Sequence, residues 1–219
     1  MKQKRRKVIR WSPEIAYVVG LISTDGNLST DGRHISLVSK DIQLLKTFKG
    51  CLNLKNKIGN RKSGYTGIKD CHHIQFGDVI FYRWLLKIGL TQNKSKTIGK
   101  LKIPDKYFFD FLRGHFDGDG SCYGYWDQRW KSSFMFYISF TSGSLKHLQW
   151  LQNRIFYFLE ITGYLGNTNK GVWILRYPKK KSKKIITKMY YKKNLPCLKR
   201  KYKKLIKILK TDKKASLMN

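Results

Sequence analysis

Apolar residues near the start of the chain fall at helical spacing: Ile15, Val18, Val19 and Ile22 share one face. Ser12 precedes them as a cap, Pro13 suits a first turn, and Glu14 sits at the positive end of the helix dipole. A second segment places Phe108, Phe111, Leu112 and Phe116 on one face in the same way. Each helix carries a small residue within its apolar set, Gly20 (a turn after Ala16) in the first and Gly114 in the second. Glycine inside a helix costs about 1 kcal/mol relative to alanine. Close packing of the two backbones against each other would offset that cost.

The two segments are members of a longer repeat. Laying Gly20 on Gly114, an offset of 94 residues, also lays Asp25 on Asp119 and Gly26 on Gly120. A strand-like stretch follows in each copy, 34–39 and 137–142, then an Asp or Ser cap (Asp41, Ser144) and an amphipathic helix, 41–48 and 144–151. Further on come β-like stretches at 71–76 and 172–177, helical segments at 79–88 and 185–191, and a closing basic run in each half. The order predicted twice is helix, two strands, helix, two strands, helix. This is an α+β chain with an N-terminal half over 1–100 and a C-terminal half over 101–219. Residues 98–106 form the join, with Pro104 starting the second motif helix.

Charge narrows the partners. Forty-six Lys and Arg against 13 Asp and Glu give +33, an excess that repels itself unless a polyanion neutralises it. With 14% aromatic residues, nucleic acid fits better than an anionic membrane, and no apolar run reaches the roughly 20 residues of a spanning helix. The basic N-terminus lacks the apolar stretch of a signal peptide, so the expected location is intracellular, in the cytoplasm or an organelle matrix where DNA or RNA resides. Cys51, Cys71, Cys122 and Cys197 form no CxxC pair and are read as reduced thiols. Cys71-His72-His73 lacks the second ligand pair of a zinc site. Asp117-Gly-Asp-Gly is no calcium loop, since Cys122 and Gln128 stand where that loop needs Gly and Glu.

If the two helices run parallel, Asp25 and Asp119 emerge together at their C-terminal ends. Both face each other and the negative ends of two dipoles, an arrangement that a divalent cation makes tolerable. Carboxylate oxygens favour Mg²⁺, with Mn²⁺ as a substitute. Such a pair suits metal-assisted phosphodiester hydrolysis, and a pseudo-twofold would direct it at both strands of a duplex. The plainer reading is that each Asp-Gly merely turns the chain at a helix end.

Val18-Val-Gly-Leu-Ile-Ser-Thr-Asp-Gly26 and Leu112-Arg-Gly-His-Phe-Asp-Gly-Asp-Gly120 resemble the nine-residue signature of the LAGLIDADG homing endonucleases. The resemblance covers nearly the whole chain. It implies two pseudo-symmetric αββαββα halves with the motif helices at their interface and saddle-shaped antiparallel sheets on DNA. It implies a monomer, intron-encoded, that cuts a long, imperfectly symmetric site in double-stranded DNA and leaves short 3′ overhangs. It makes Asp25 and Asp119 the catalytic metal ligands, helped by the carbonyls of Thr24 and Gly118. Ser23 stands where the family often has Asp, the counterpart of Asp117, at a position that supports the helix end. Ser39 and Ser142 match a water-positioning site, and Lys94 and Lys199 match a catalytic lysine, with Lys96 and Lys201 as close competitors.

Strand alternation nominates Arg33, Arg61, Lys69, Gln75, Gln128, Arg129, Lys131 and Arg176 as DNA contacts. The lysine runs at 179–184 and 199–210 read as phosphate-steering surfaces. Tyr123, Tyr125, Trp126 and Trp130 read as core. Two other functions use the same scaffold and charge: an RNA-binding maturase acting on intron RNA, and a DNA-binding regulator without catalysis. Retention of both Asp25 and Asp119 speaks against the latter. An intein-borne form is not expected.

Overall fold

The computed structural model describes residues 8–62, 70–130, 133–168 and 171–216; Lys69 and Lys131 lie outside them. Helix α1 (Pro13–Thr24) begins as its sequence dictates, with Ser12 Oγ accepting from the Ile15 amide at 3.2 Å. Ala16 to Ser23 are all buried, as are nine of the twelve residues of α4 (Phe108–Asp119). A helix buried on every side lies at the centre of the molecule rather than on its surface. Pro104 starts a 3₁₀ turn (Asp105–Tyr107) instead of the motif helix itself, which begins at Phe108.

The first half continues with β1 (Gly26–Leu28), β2 (His34–Ser39), α2 (Ile42–Cys51), β3 (Gly59–Arg61), β4 (Cys71–Gly77) and α3 (Val79–Lys87). The second continues with β5 (Gly120–Trp126), β6 (Phe134–Ser142), α5 (Leu145–Leu159), β7 (Tyr164–Asn167), β8 (Trp173–Pro178) and α6 (Lys179–Met189). Each half holds one antiparallel sheet, ordered β1-β2-β4-β3 in the first and β5-β6-β8-β7 in the second. The same strand order in both halves is the three-dimensional form of the sequence repeat. The second half adds α7 (Lys199–Ser216), a helix beyond the expected αββαββα pattern.

Register explains which face of each sheet the helices cover. Ile35 pairs with Phe76 and Leu37 with Ile74, and all four are buried. In the second sheet Ile138 pairs with Tyr177 and Phe140 with Leu175, again all buried. Because side chains alternate, Ser36 and Gln75 in one sheet and Ser139 and Arg176 in the other belong to the opposite face.

Several expectations need correction. The lysine run at 179–184, read as a phosphate-steering surface, is the start of α6, and Ser182 within it is buried. Its hydroxyl donates to the Tyr177 carbonyl at 2.6 Å and accepts from the Ile138 amide at 3.0 Å. Lys179 and Lys183 both pair with Asp212 of α7, a carboxylate only 1% exposed, so these two lysines hold helix to helix. Asp41 and Ser144 stand at the N-cap positions of α2 and α5 without capping hydrogen bonds. Asp41 instead pairs with Arg200 at 2.7 Å, and Ser144 Oγ donates to the Ile98 carbonyl at 2.5 Å. Tyr123, Tyr125, Trp126 and Trp130 are exposed, not core. All four cysteines are free. Among the described residues no cluster of three His, Cys, Asp or Glu could hold a metal; strand alternation sends His72 and His73 to opposite faces of β4, with His72 Nδ1 2.9 Å from Asn60 Oδ1. Also among the described residues, no helix is long and apolar enough to cross a membrane.

Candidate active site

The two motif helices meet where the glycines predicted they would. A Cβ built on Gly114 would collide with the Tyr17 carbonyl, and one on Gly20 with the Phe111 carbonyl. Further along, a Cβ on Gly118 would collide with Thr24 Oγ1 and lie 3.1 Å from Asp25 Oδ2. Contacts thus advance together along both helices, from Tyr17 with Gly114 to Thr24 with Gly118. The helices are therefore parallel, and their C-terminal ends, carrying Asp25 and Asp119, lie side by side.

Both carboxyl groups are held in an environment that disfavours their charge. Both keep exposed surface. Desolvation by the surrounding protein, then the neighbouring Asp119, pushes Asp25 up to about 7, against the pull of Lys201 and Lys94. Desolvation likewise raises Asp119, opposed by the same two lysines. Among the described residues neither carboxylate is engaged by an ion pair or a side-chain hydrogen bond. The lysines spend their donors on backbone instead. Lys94, buried at 5% exposure, donates to the carbonyl of Gly26. Lys201 donates to the carbonyls of Phe116, Gly118 and Gly120, at 2.8, 2.7 and 2.6 Å. Gly26 and Gly120 are equivalent in the repeat, so Lys94 and Lys201 are equivalent in space. Burial lowers both lysines and the two aspartates oppose it.

Lys199, chosen from the sequence, therefore gives way to Lys201. Lys199 is exposed, and among the described residues only its amide is engaged, donating to Gln43 Oε1 at 2.9 Å. Lys96 is also exposed. The signal that identifies Lys201 was present in the chain. Leu198, Leu205, Ile208 and Ala215 are buried at helical spacing along α7, and Lys201 falls on that stripe whereas Lys199 falls off it. The carbonyl of Gly118, expected to assist a metal, already accepts from Lys201. Ser39 and Ser142, the residues matched to a water-positioning site, each make a local contact. Each hydroxyl accepts, at 3.1 Å, from the amide two residues on, Asp41 and Ser144, turning the chain into the next helix.

Asp117 does support the helix end. Its Oδ2 accepts from Tyr17 Oη at 2.8 Å and from the Leu198 amide at 2.6 Å, tying α1 and the start of α7 to α4. Burial raises Asp117 to about 6 despite these bonds. At the matching position Ser23 donates to the Gly20 carbonyl at 2.6 Å. Sequence reasoning missed Arg113, which is fully buried in the same assembly. Its guanidinium reaches the carbonyls of Pro196 at 2.9 Å and Met189 at 2.7 Å, and Asp110 at 2.8 Å. It thereby fixes the segment that delivers Lys201. Nothing in the nine-residue motif marks an arginine as buried, because Asp110 precedes the motif and the two carbonyls the arginine reaches are distant in sequence.

The DNA-contact candidates separate by face. Arg61 and Gln75 lie on the uncovered face of the first sheet and are exposed. Arg176 lies on the uncovered face of the second. Arg33 is exposed just before β2 with its Nη2 3.2 Å from His34 Nε2, and Gln128 and Arg129 are exposed in the loop after β5. Arg129 also pairs with Asp127 at 3.6 Å.

No protein-family model matches the sequence, and no curated protein matches it. Solved structures do. The LAGLIDADG meganuclease I-AabMI, bound to uncleaved DNA, superposes with a TM-score of 0.66 at 14% identity, covering 95% of this chain and 92% of that one. The homing endonuclease I-WcaI, bound to its DNA recognition sequence, gives 0.62 at 17% identity over 92% and 89%. The N-terminal LAGLIDADG domain of DUF199/WhiA gives 0.54 at 16% identity over 86% and 87%. Matches at this identity speak to fold, and the chemistry rests on the site itself. The chain has the α+β fold of the LAGLIDADG homing endonucleases in its single-chain form, with two pseudo-symmetric halves joined through the motif helices.

Proposed function

We propose that this chain is a site-specific, divalent-metal-dependent endonuclease that hydrolyses both strands of a long, pseudo-symmetric DNA duplex and leaves short 3′ overhangs. One observation carries the reading. Two carboxylates, without ionic partners among the described residues, sit at the adjacent ends of parallel helices, each half adding a lysine, Lys94 buried and Lys201 half-buried, anchored to an equivalent carbonyl. A mere helix stop has no need of that convergence. The duplex as substrate is supported by the +33 charge and by the two DNA-bound structures that the fold resembles.

The donor set fits a hard divalent cation: paired carboxylate oxygens, in a spot where burial and mutual repulsion leave negative charge poorly compensated. Asp25 and Asp119 would hold Mg²⁺, or Mn²⁺ in its place, which supplies an activated water and a stabilised leaving oxygen. The chain's own residues do the rest. Lys94 and Lys201 hold positive charge beside the carboxylates, where it can meet a scissile phosphate. Their anchoring bonds fix that charge before any substrate arrives. Gly20 and Gly114 set the approach of the helices and with it the spacing of the carboxylates. The pseudo-twofold that relates the halves matches the relation between the two strands of a duplex.

Incubation of the full chain with a library of duplex targets and Mg²⁺ tests the proposal. The parent is expected to cut both strands, whereas Asp25→Asn and Asp119→Asn bind without cutting. Calcium in place of magnesium should support binding with little cleavage. Cutting by either variant at the parental rate would refute its role. A parent that binds duplex and never cuts would make the chain a DNA-binding regulator, and selective capture of structured RNA would favour the maturase reading.

A further inference from the structure

The uncovered faces of the two sheets differ in chemistry. On the first, the residues pointing away from the core include Asn27, Ser36, Arg61 and Gln75, all hydrogen-bonding groups. On the second, Tyr123, Tyr125, Met135, Tyr137 and Tyr164 share the face with Arg176. The tyrosines are not scattered. Tyr125 stacks on Tyr123 with ring centroids 5.8 Å apart, Tyr123 lies against Tyr137 at 5.7 Å, and the Arg176 guanidinium sits 4.5 Å from the Tyr137 ring centre. Tyr164 stands opposite Arg176 in register. The result is one ridge across all four strands, bordering a shallow groove of about 450 Å³.

The ridge uses its ring faces internally. Tyr123 is flanked by one tyrosine on each side, and Tyr137 lies between Tyr123 and Arg176. An unstacked base has little free ring face on which to lie, so the arrangement is poorly suited to single strands, which bind by stacking. What it presents outward is apolar ring surface, packed ring against ring, with Tyr123 52% and Tyr125 41% exposed. Apolar ring surface in a major groove can cover the 5-methyl group of thymine, the one apolar feature that groove displays. Arg176 is preorganised beside them, its Nε buried without a hydrogen-bond partner among the described residues, and a fixed guanidinium suits the O6 and N7 of guanine.

We infer that the second sheet reads a thymine-rich half-site, in which the tyrosine ridge covers thymine methyl groups and Arg176 takes a guanine, while the first sheet reads its half through hydrogen bonds. The inference rests on the duplex-binding part of the proposed function. It makes Tyr123, Tyr125, Tyr137 and Arg176 specificity-determining residues of one half only.

The test uses the full chain in Ca²⁺, enriching bound duplexes from a randomised library, then replacing thymine by deoxyuridine in one half of the best duplex at a time. Deoxyuridine removes only the methyl group. Affinity should fall about threefold to fivefold per covered methyl in one half, and by less than about twofold in the other. In a Tyr123→Ser, Tyr125→Ser variant, whose changes lie at exposed positions, that sensitivity should vanish with the polar half still recognised. Arg176→Gln should relax selection at a single guanine. Equal tolerance of deoxyuridine in both halves, or a sensitivity unchanged in the tyrosine variant, would overturn the inference. Adding Mg²⁺ to the same duplex reads cleavage separately, so a failure of catalysis and a failure of half-site asymmetry are distinguishable.

Discussion

Asp25→Asn should stabilise the metal-free protein, and more so in mild alkali than in mild acid. Asp25 is raised from 3.8 to about 7 by burial and by Asp119, so the folded chain binds this proton more tightly than the unfolded chain does. Stability from such a group is fullest below the unfolded value and declines as pH climbs through the folded one. Linkage on that shift alone gives about 4 kcal/mol near pH 8 and about 2 kcal/mol near pH 5; Asp25 keeps exposed surface, and solvent screening reduces these to about 1–2 kcal/mol and under about 1 kcal/mol. Asparagine keeps the shape and removes the charge. For a chain of this length, relief of about 1–2 kcal/mol corresponds to a rise in thermal midpoint on the order of 4 °C. The assay is thermal unfolding of parent and variant side by side at both pH values, in chelator and then in excess Mg²⁺. Excess metal should stabilise the parent by roughly 3 kcal/mol at about a hundred times its Kd, and the variant by much less. A variant less stable than the parent near pH 8, or one whose advantage is the same at both pH values, would refute the reasoning that the pair is electrostatically strained.

Gly114→Ala should destabilise by about 3 kcal/mol or more in a denaturant titration, since the new Cβ meets the Tyr17 carbonyl, a backbone atom that cannot rotate away. Arg113→Met should cost about 3–5 kcal/mol by the same measurement, because Asp110 and two carbonyls lose a fully buried partner. Lys201→Ala should slow cleavage about a hundredfold or more with duplex binding retained, whereas Lys199→Ala should leave single-turnover cleavage within about twofold of the parent; the reverse ranking would restore the sequence-based choice.

Much of the fold was legible because the repeat made each weak signal count twice. Either glycine alone is an ordinary helix defect. Together, at a common offset and followed by the same strands and helices, Gly20 and Gly114 predict the parallel packing that brings Asp25 and Asp119 to one place. The same symmetry misled in the second half. Expecting a bare αββαββα plan hid α7, whose high lysine content resembles a solvated run until its buried stripe of Leu198, Leu205, Ile208 and Ala215 is read at helical spacing. Tyr123 and Tyr125 were misplaced for a related reason. Aromatic residues are usually buried, and only strand register shows that these two share the face opposite to Cys122. Arg113 and Asp117 could not have been ranked from composition, since most of their partners lie 76 to 100 residues away.

The two lysines show what the symmetry does fix. Lys94 comes from the turn segment beyond α3, next to Asn93 in a left-handed conformation, whereas Lys201 comes from a helix with no counterpart among the described residues of the first half. Lys94 lies 68 residues beyond Gly26 and Lys201 lies 81 beyond Gly120, so no constant spacing connects them. What they share is the acceptor: the carbonyl of the glycine that opens the first strand after each motif helix. That carbonyl is placed by the helix end itself, because the strand must start where the aspartate stops. An ammonium group brought near the two carboxylates is drawn toward them, and the carbonyl holds it at a set position while leaving the carboxylate oxygens free. Replacement of the route by which the lysine arrives is therefore tolerable and replacement of its anchor is not. A side chain at Gly120 illustrates the point, since its Cβ would press on the backbone and ring of Phe116, whose carbonyl is another Lys201 acceptor. Gly120→Ala should then impair cleavage as Lys201→Ala does, with duplex binding intact, and a fully active Gly120→Ala chain would mean that the carbonyl does not position the lysine.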